Sequence, residues 1–187
     1  MRNQSNSDCL YNLRGQCDME LRLASISDLP KLKEVYKKII DNMNDNNIKI
    51  WDDIYPCEFF GNDINSNSLY VLKNEKDVIV GAFALCDSNS GEGHVGWKDN
   101  DGKAVYLDRL GVNVNYSKQG IGTTLLNYAI EIAKQKSAEY LRLFVIDINK
   151  PAVNLYLKNG FTQASGTYVE VIDECLAFNE YGFEKKI

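Results

Sequence analysis

The sequence has no long apolar run, and its N-terminus does not show the charged, apolar and small-residue order of a secretory signal. A membrane span needs about 20 consecutive apolar residues, so no membrane partner is expected and the chain reads as cytoplasmic. Runs of Lys or Arg are also lacking. With a net charge of −5 and its acids and bases interspersed, the chain presents no basic face to a phosphate backbone, and no nucleic-acid partner is expected. The charge suits a cationic partner, and equally ordinary solvation. The cysteines, Cys9, Cys17, Cys57, Cys86 and Cys175, are odd in number and lack zinc spacing, so no metal is expected. Cys86 and Cys175 sit in apolar strand-like runs and read as buried thiols. Internal repeats and linkers are absent.

The 187 residues suit one domain, since domains run to roughly 100–200 residues. Residues 1–18 are polar and aperiodic and read as a disordered leader or a start-site artefact. The domain is expected over 19–187. A strand over 19–24 leads to a helix start at Ser27-Asp28-Leu29-Pro30, with a cap candidate and an early proline. Leu32, Val35, Tyr36, Ile39 and Ile40 follow at helical spacing, and the Asn/Asp cluster at 41–47 is expected to end that helix. A short helix or loop covers 51–64. A hairpin follows over 69–85, then a Gly/Asp/Asn-rich stretch with a short strand at 94–97, and a long strand over 104–114. A helix over 120–136, a buried strand over 140–146, a helix from Asn149-Lys150-Pro151 to Asn159-Gly160, and strands over 167–172 and 175–183 complete the order. The fold class is therefore α/β (α+β), with a mixed sheet and helices on its faces.

The richest segment runs from Leu107 to Leu126, where a strand enters a glycine-containing turn, Tyr116-Ser-Lys-Gln-Gly-Ile-Gly122, and then an amphipathic helix. A helix N-terminus offers unpaired N–H groups and a positive dipole end, and so holds an anion such as a pyrophosphate. Gly120 and Gly122 let the backbone approach such a group. No Gly-Lys-Ser/Thr follows, and the three-glycine dinucleotide spacing is absent. Alone, the turn is equally compatible with ordinary turn chemistry.

A second segment, Asn149-x-x-Ala152-x-x-Leu155-Tyr156-x-x-x-Gly160-Phe161, lies beyond the next strand. In element order and in these two motifs, residues 19–187 resemble the GNAT superfamily of acetyl-CoA-dependent N-acetyltransferases. Ile50-Trp-Asp-Asp-Ile-Tyr-Pro56 looks like an element common in a bacterial subgroup whose substrates are uncharacterised. The resemblance implies a mostly antiparallel central sheet of about six to seven strands, helices on both faces, and acetyl-CoA as cosubstrate. The acceptor it implies is a small-molecule amine or a peptide N-terminus, with a homodimer as the assembly considered. The family pattern at the turn is Arg/Gln-x-x-Gly-x-Gly/Ala; Ser117 holds the first place here, which leaves the backbone amides and Lys118 to hold the pyrophosphate.

Carried over by the resemblance, Leu110, Gly111, Val112 and Val114 line the pantetheine arm, and the N–H of Gly111 or Val112 meets the thioester carbonyl. Ser117, Lys118, Gln119, Gly120, Ile121, Gly122 and Thr123 form the pyrophosphate turn. Asn149 caps the last helix or touches the pantetheine. Tyr156 is the expected general acid; the competing reading is a core tyrosine. Asp108 is the expected catalytic base, on the same side as Leu110 if no bulge intervenes. Glu92, His94 and a water chain are the alternative bases; His94, the sole histidine, is also a substrate-side residue, or an idle loop residue. Trp51 and Tyr55 line the acceptor pocket or pack a small helix onto the sheet, and Asp52 and Asp53 join them or are solvated. The expected reaction is direct attack within a ternary complex, since no Cys–His pair suggests a covalent intermediate. The alternative is a non-catalytic acyl-CoA-binding or regulatory module on the same fold.

Overall fold

The structure, a computed structural model, describes residues 19–173 and 176–187. The expected leader over 1–18, with Cys9 and Cys17, lies outside the described residues, as does Cys175. Eight strands form one sheet: β1 (Glu20–Leu23), β2 (Leu69–Lys73), β3 (Ile79–Cys86), β4 (Ala104–Val112), β5 (Tyr140–Ile146), β6 (Thr162–Gln163), β7 (Tyr168–Val171) and β8 (Ala177–Lys186). The helices are α1 (Leu29–Asp45), α2 (Phe60–Asn65), α3 (Ile121–Gln135) and α4 (Lys150–Lys158). The strand order is β1-β2-β3-β4-β5-β8-β6, with β7 also paired to β8. All pairings are antiparallel except that of β4 with β5.

Alternation along each strand sends side chains to two faces. On β2, Tyr70 and Leu72 join the core beneath α3 and α4, while Leu69 and Val71 join the core beneath α1 and α2. On β4, Val105 and Leu107 face α3, and Tyr106 faces the opposite side against Trp97. α3 buries Leu125, Leu126, Ala129 and Ala133, the stripe expected of an amphipathic helix. The mixed, mostly antiparallel sheet with helices on both faces is thus the architecture the sequence implies, with β6 added.

Several boundaries differ. The Asn/Asp cluster does not end α1 at Ile40; α1 runs on to Asp45, with Met43 packed on the core. Such residues cost a helix interior only about 0.7 kcal/mol each, less than the apolar face gains. The helix stops where Asn47 turns left-handed at φ 58°, a conformation Asn tolerates. Within 51–64 only Phe60 onward is helical, and Tyr55-Pro56 is cis. The strand expected at 94–97 is a single bridge between Gly96 and Ser165. No helix among the described residues is long and apolar enough to cross a membrane.

The cap at the start of α1 is also rearranged. Asp28, 2% exposed, accepts from Ser25 N and Ser25 Oγ at 2.8 Å each. It also takes Arg22 at 2.8 Å and Lys73 at 2.9 Å. Burial alone would raise its pKa, but the bonds from Arg22, Ser25 and Lys73 hold it well below the usual carboxylate range. A depressed folded-state pKa contributes stability above the unfolded value of ~3.9 that is lost as pH falls through the folded one. Asp28→Asn is expected to destabilise the protein by about 3 kcal/mol in urea melts at pH 7. The difference from the parent should hold above about pH 5 and shrink as the pH falls below ~3.9. A difference unchanged at pH 2.5 would assign the loss to packing.

Candidate active site

β4 and β5 pair only from Ala104–Leu107 to Tyr140–Leu143. Beyond that, β4 stays on β3 up to Val112 and β5 stays on β8 up to Ile146. The two strands therefore part inside the sheet, leaving a gap whose backbone groups have no ladder partner. The cause is a bulge: Ala84 opposes Asp108 but Ala82 opposes Gly111, so β4 carries one extra residue. That residue is Arg109, left-handed at φ 52°. A bulge of this kind bends its strand, here away from β5.

The bulge corrects one expectation. Asp108 and Leu110 do not share a side. Leu110 packs on the α3 face, while Asp108 faces α1 and α2, where it takes the Tyr55 hydroxyl at 3.0 Å. The Arg109 guanidinium lies between two carboxylates, with Nε 2.8 Å from Asp63 Oδ2, Nη2 2.9 Å from Asp63 Oδ1 and Nη1 3.0 Å from Asp108 Oδ2. Arg109 N also donates to Asp108 Oδ1 at 2.8 Å, and the Tyr36 hydroxyl donates to Arg109 O at 2.5 Å. Burial works against the Arg109 charge, but Asp108 and Asp63 outweigh it and raise its pKa.

Past the bulge, Asn113 N donates to Val80 O at 3.0 Å, in register with Gly111 opposite Ala82 and Val112 opposite Gly81. Antiparallel alternation turns the Gly111 N–H towards β3 and the Val112 N–H into the gap. Of the two amides expected near the thioester, Val112 alone faces it. Gly111 has a different role: a Cβ there would lie 2.7 Å from Tyr36 Cζ. Val114 packs with the α1 core.

The turn between β4 and α3 is exposed from Ser117 to Gly120. Gly120 is left-handed at φ 81° and open to solvent, with nothing within 4 Å of a Cβ position. Lys118 is also left-handed at φ 59°. Thr124 N bonds Gly120 O, which leaves the amides of Ile121, Gly122 and Thr123 without helical acceptors. The Ser117 hydroxyl donates to Val114 O at 2.8 Å and the Gln119 amide to Asn115 O at 3.3 Å, so both side chains brace the turn. Gly122 lies against Leu155 of α4, and Thr123 Oγ1 accepts from Asn159 at 3.3 Å.

Asn149, three residues past the end of β5, caps α4 by accepting from Ala152 N at 3.3 Å. Tyr156 follows on α4, 7% exposed, its ring between Phe161 and Phe183 at 5.9 and 6.2 Å. Its hydroxyl has no hydrogen bond among the described residues, and burial, with Asp108's charge, raises its pKa well above the tyrosine range. Tyr156 reaches Asp108's field from the α4 face, while Asp108 projects to the other.

Trp51 stacks on Tyr36 at 5.7 Å and meets Tyr55 edge-on at 6.3 Å, so both flank the bulge. Asp52 caps this turn, accepting from Ile54 N and Tyr55 N at 2.8 Å each, and Asp53 is exposed. His94 is exposed and lies on the Tyr168 ring at 4.9 Å. The sequence reading missed Asp63 and Arg109, which hold the bulge, and two carboxylates, Glu170 on β7 and Glu180 on β8. Neither has a signal in its local segment beyond alternation with apolar residues.

A family model for the acetyltransferase (GNAT) family matches residues 34–161. The Mus musculus thialysine N-epsilon-acetyltransferase is 46% identical over 55 residues, 29% of this chain and 32% of that protein, so the chain spans about a third of that relative's length. A GNAT acetyltransferase from Streptococcus agalactiae superposes with a TM-score of 0.71 at 15% identity, covering 90% of this chain and 95% of that one. Arabidopsis thaliana NAA60, solved with acetyl-CoA, gives a TM-score of 0.65 at 21% identity, covering 90% and 98%. With its parted β4 and β5, its glycine turn and a family match over more than half its length, this chain belongs to the GNAT acetyltransferase family.

Proposed function

We propose that the protein transfers an acetyl group from acetyl-CoA directly to a primary amine within a ternary complex. The observation that carries this reading is the gap between β4 and β5, beside the unbonded amides at the start of α3. The gap takes an extended pantetheine arm, since β4 offers the Val112 N–H where β5 has withdrawn. The α3 amides and the helix dipole take the pyrophosphate, with Lys118 beside them. Gly120, without a Cβ and open to solvent, leaves room for it.

In this reading the Val112 N–H stabilises the oxyanion as the amine attacks. Tyr156, kept protonated by its raised pKa, donates to the departing thiolate. Asp108 is already bonded by Arg109 N, Arg109 Nη1 and the Tyr55 hydroxyl, so it anchors the bulge and leaves the base role to another group. The related proteins support the chemistry: one is named a thialysine acetyltransferase and another was solved with acetyl-CoA. A non-catalytic acyl-CoA-binding module would leave the unbonded Tyr156 hydroxyl without use.

Acetyl-CoA at 100 times its Kd should stabilise the fold by about 2.7 kcal/mol, read as a rise in Tm. Thiol release with a panel of thialysine, free amino acids, aminoglycosides and peptides with free N-termini should then find an acceptor, confirmed by mass spectrometry. No thermal shift at millimolar acetyl-CoA would overturn the reading.

Gly120→Glu should abolish acetyl-CoA binding in calorimetry. A side chain at this φ costs roughly 1–2 kcal/mol, so Gly120→Ala serves as the reference with the same backbone cost and no charge. Equal affinities for the two variants would place the phosphates elsewhere.

Tyr156→Phe should lower kcat by about 10²–10⁴ while cofactor affinity holds, because Phe keeps the ring packing. Wild-type turnover across pH 6–9 would make Tyr156 a packing residue.

A further inference from the structure

Resting on that reading, the acceptor ammonium needs a group to take its proton, and Asp108 is already committed. On β8, Phe183 packs in the α3 core with Tyr181 against it. Gly182 lies under Trp97, and Glu184 takes Lys98 N, on the opposite face. Glu180 is in step with Gly182 and Glu184, so it faces the side on which Asp108 and Tyr55 lie. It pairs with Ile146, three residues beyond the last contact of β5 with β4, and so sits beside the gap. On β7, Tyr168 opposes Glu180, and Glu170 lies two residues further on the same face.

Among the described residues, the two buried arginines on this face of the sheet are engaged elsewhere. Arg109 is held by Asp63 and Asp108, and Arg142 by Glu184. His94 lies against the Tyr168 ring at a tilt of 40°. Neither Glu170 nor Glu180 has a hydrogen bond or ion pair among the described residues. A second observation comes from the other face of the sheet. Tyr156, 7% exposed, brings an unbonded hydroxyl from the other face of the sheet and lies within the field of the same Asp108.

We propose that Glu180 is the general base of this site, taking the proton from the acceptor's ammonium, with Glu170 beside it keeping the pocket selective for cations. An ammonium N–H bond breaks and its proton passes to a Glu180 carboxylate oxygen. The freed nitrogen lone pair forms the N–C bond to the thioester carbon as the C–S bond breaks, and the electron pair leaves on sulfur. Tyr156 protonates that thiolate and recovers a proton, through solvent, from the newly acylated nitrogen. Glu180 then releases its proton to solvent, so each turnover converts an ammonium and a thioester into an amide, a thiol and one proton.

Burial, and then the charges of Glu170 and Asp108, push the Glu180 carboxyl up to about 8. That suits a base working near neutral pH, and it has a sign in stability. A carboxyl whose folded pKa lies above its unfolded one makes the fold less stable as pH rises from ~4.3 to the folded value.

Three measurements test the proposal on the whole chain. Without any acceptor, Glu180→Gln should raise Tm relative to the parent at pH 9 and match it at pH 4, and NMR of 13C-labelled glutamate should lose one carboxyl titrating near 8. With whichever panel amine turns over, kcat/KM of the parent should rise with pH to a limb near 8. Glu180→Gln should lower kcat/KM at pH 7.5 by about 10²–10⁴, remove that limb and bind acetyl-CoA normally. Glu170→Gln should move the limb to lower pH, because the charge that raises Glu180 is removed. Glu180 titrating near 4, Glu180→Gln retaining the limb and the rate, or Glu170→Gln leaving the limb in place would each overturn the assignment. A panel without an acceptor would count against acetyl transfer, and the Tm and NMR results would still judge Glu180.

Discussion

Arg109 occupies a backbone conformation that costs an ordinary residue roughly 1–2 kcal/mol, and the site depends on its doing so. Its guanidinium donates to Asp63 at 2.9 Å and to Asp108 at 3.0 Å through charge-assisted bonds, with a further ion-pair contact to Asp63 at 2.8 Å. Hydrogen bonds to charged groups contribute about 1.5–3 kcal/mol each where desolvation is met, so this network offsets the strain. Tyr36 closes it by donating to Arg109 O while its ring fills the space beside Gly111. From the extra residue follow the parting of β4 from β5, the turn of Leu110 to the α3 face while Asp108 keeps the opposite one, and the Val112 amide turned into the gap. A larger residue at Gly111 would strike the tyrosine that holds the bulge, which ties a glycine in the middle of a strand to packing on α1.

The turn into α3 was legible because its requirements are local. Gly120 is left-handed, as a glycine before a helix start can be, and Asn149 caps α4 two residues before a proline. The bulge was not legible. Arg109 has no Cβ-free or amide side chain to mark a left-handed residue, and residues 104–112 read as one unbroken strand. Its conformation is set by Asp63, 46 residues earlier. Glu180 was hidden for a related reason. Glu180-Tyr-Gly-Phe-Glu184 alternates as a half-solvated strand would, and its polar face is covered only when Trp97 and β7 arrive from distant segments. The overrun of α1 through Asp41–Asp45 shows the same competition: weak local preferences yield to an apolar face that still has a sheet to cover.

In the proposed reaction the two faces of the sheet supply opposite halves of the chemistry. α4 brings the Tyr156 hydroxyl through the apolar core, where a tyrosine keeps its proton. On the other face lie Asp63 and Asp108, both paired with Arg109, and Glu170 and Glu180, which feel the charge of Asp108. Asp63 and Asp108 share one guanidinium charge, and Glu170 and Glu180 pair with no cation among the described residues. A thioester held in the gap would meet its proton donor from one side and a cation-seeking pocket from the other, with the splayed backbone between them.

This excess of negative charge couples acceptor binding to protonation. With a pKa near 8, Glu180 holds its proton in much of the population at neutral pH while the pocket is empty. An ammonium entering beside it favours the carboxylate and draws the pKa down. The same coupling read in reverse makes the acceptor bind more tightly as pH rises towards 8, because less work is then needed to remove the Glu180 proton. A neutral amine would bring no such charge and would find the base protonated. On the proposed assignment of Glu180, the pocket prefers the charged, unreactive form of an amine, and converts it only once that charge has created the group able to deprotonate it.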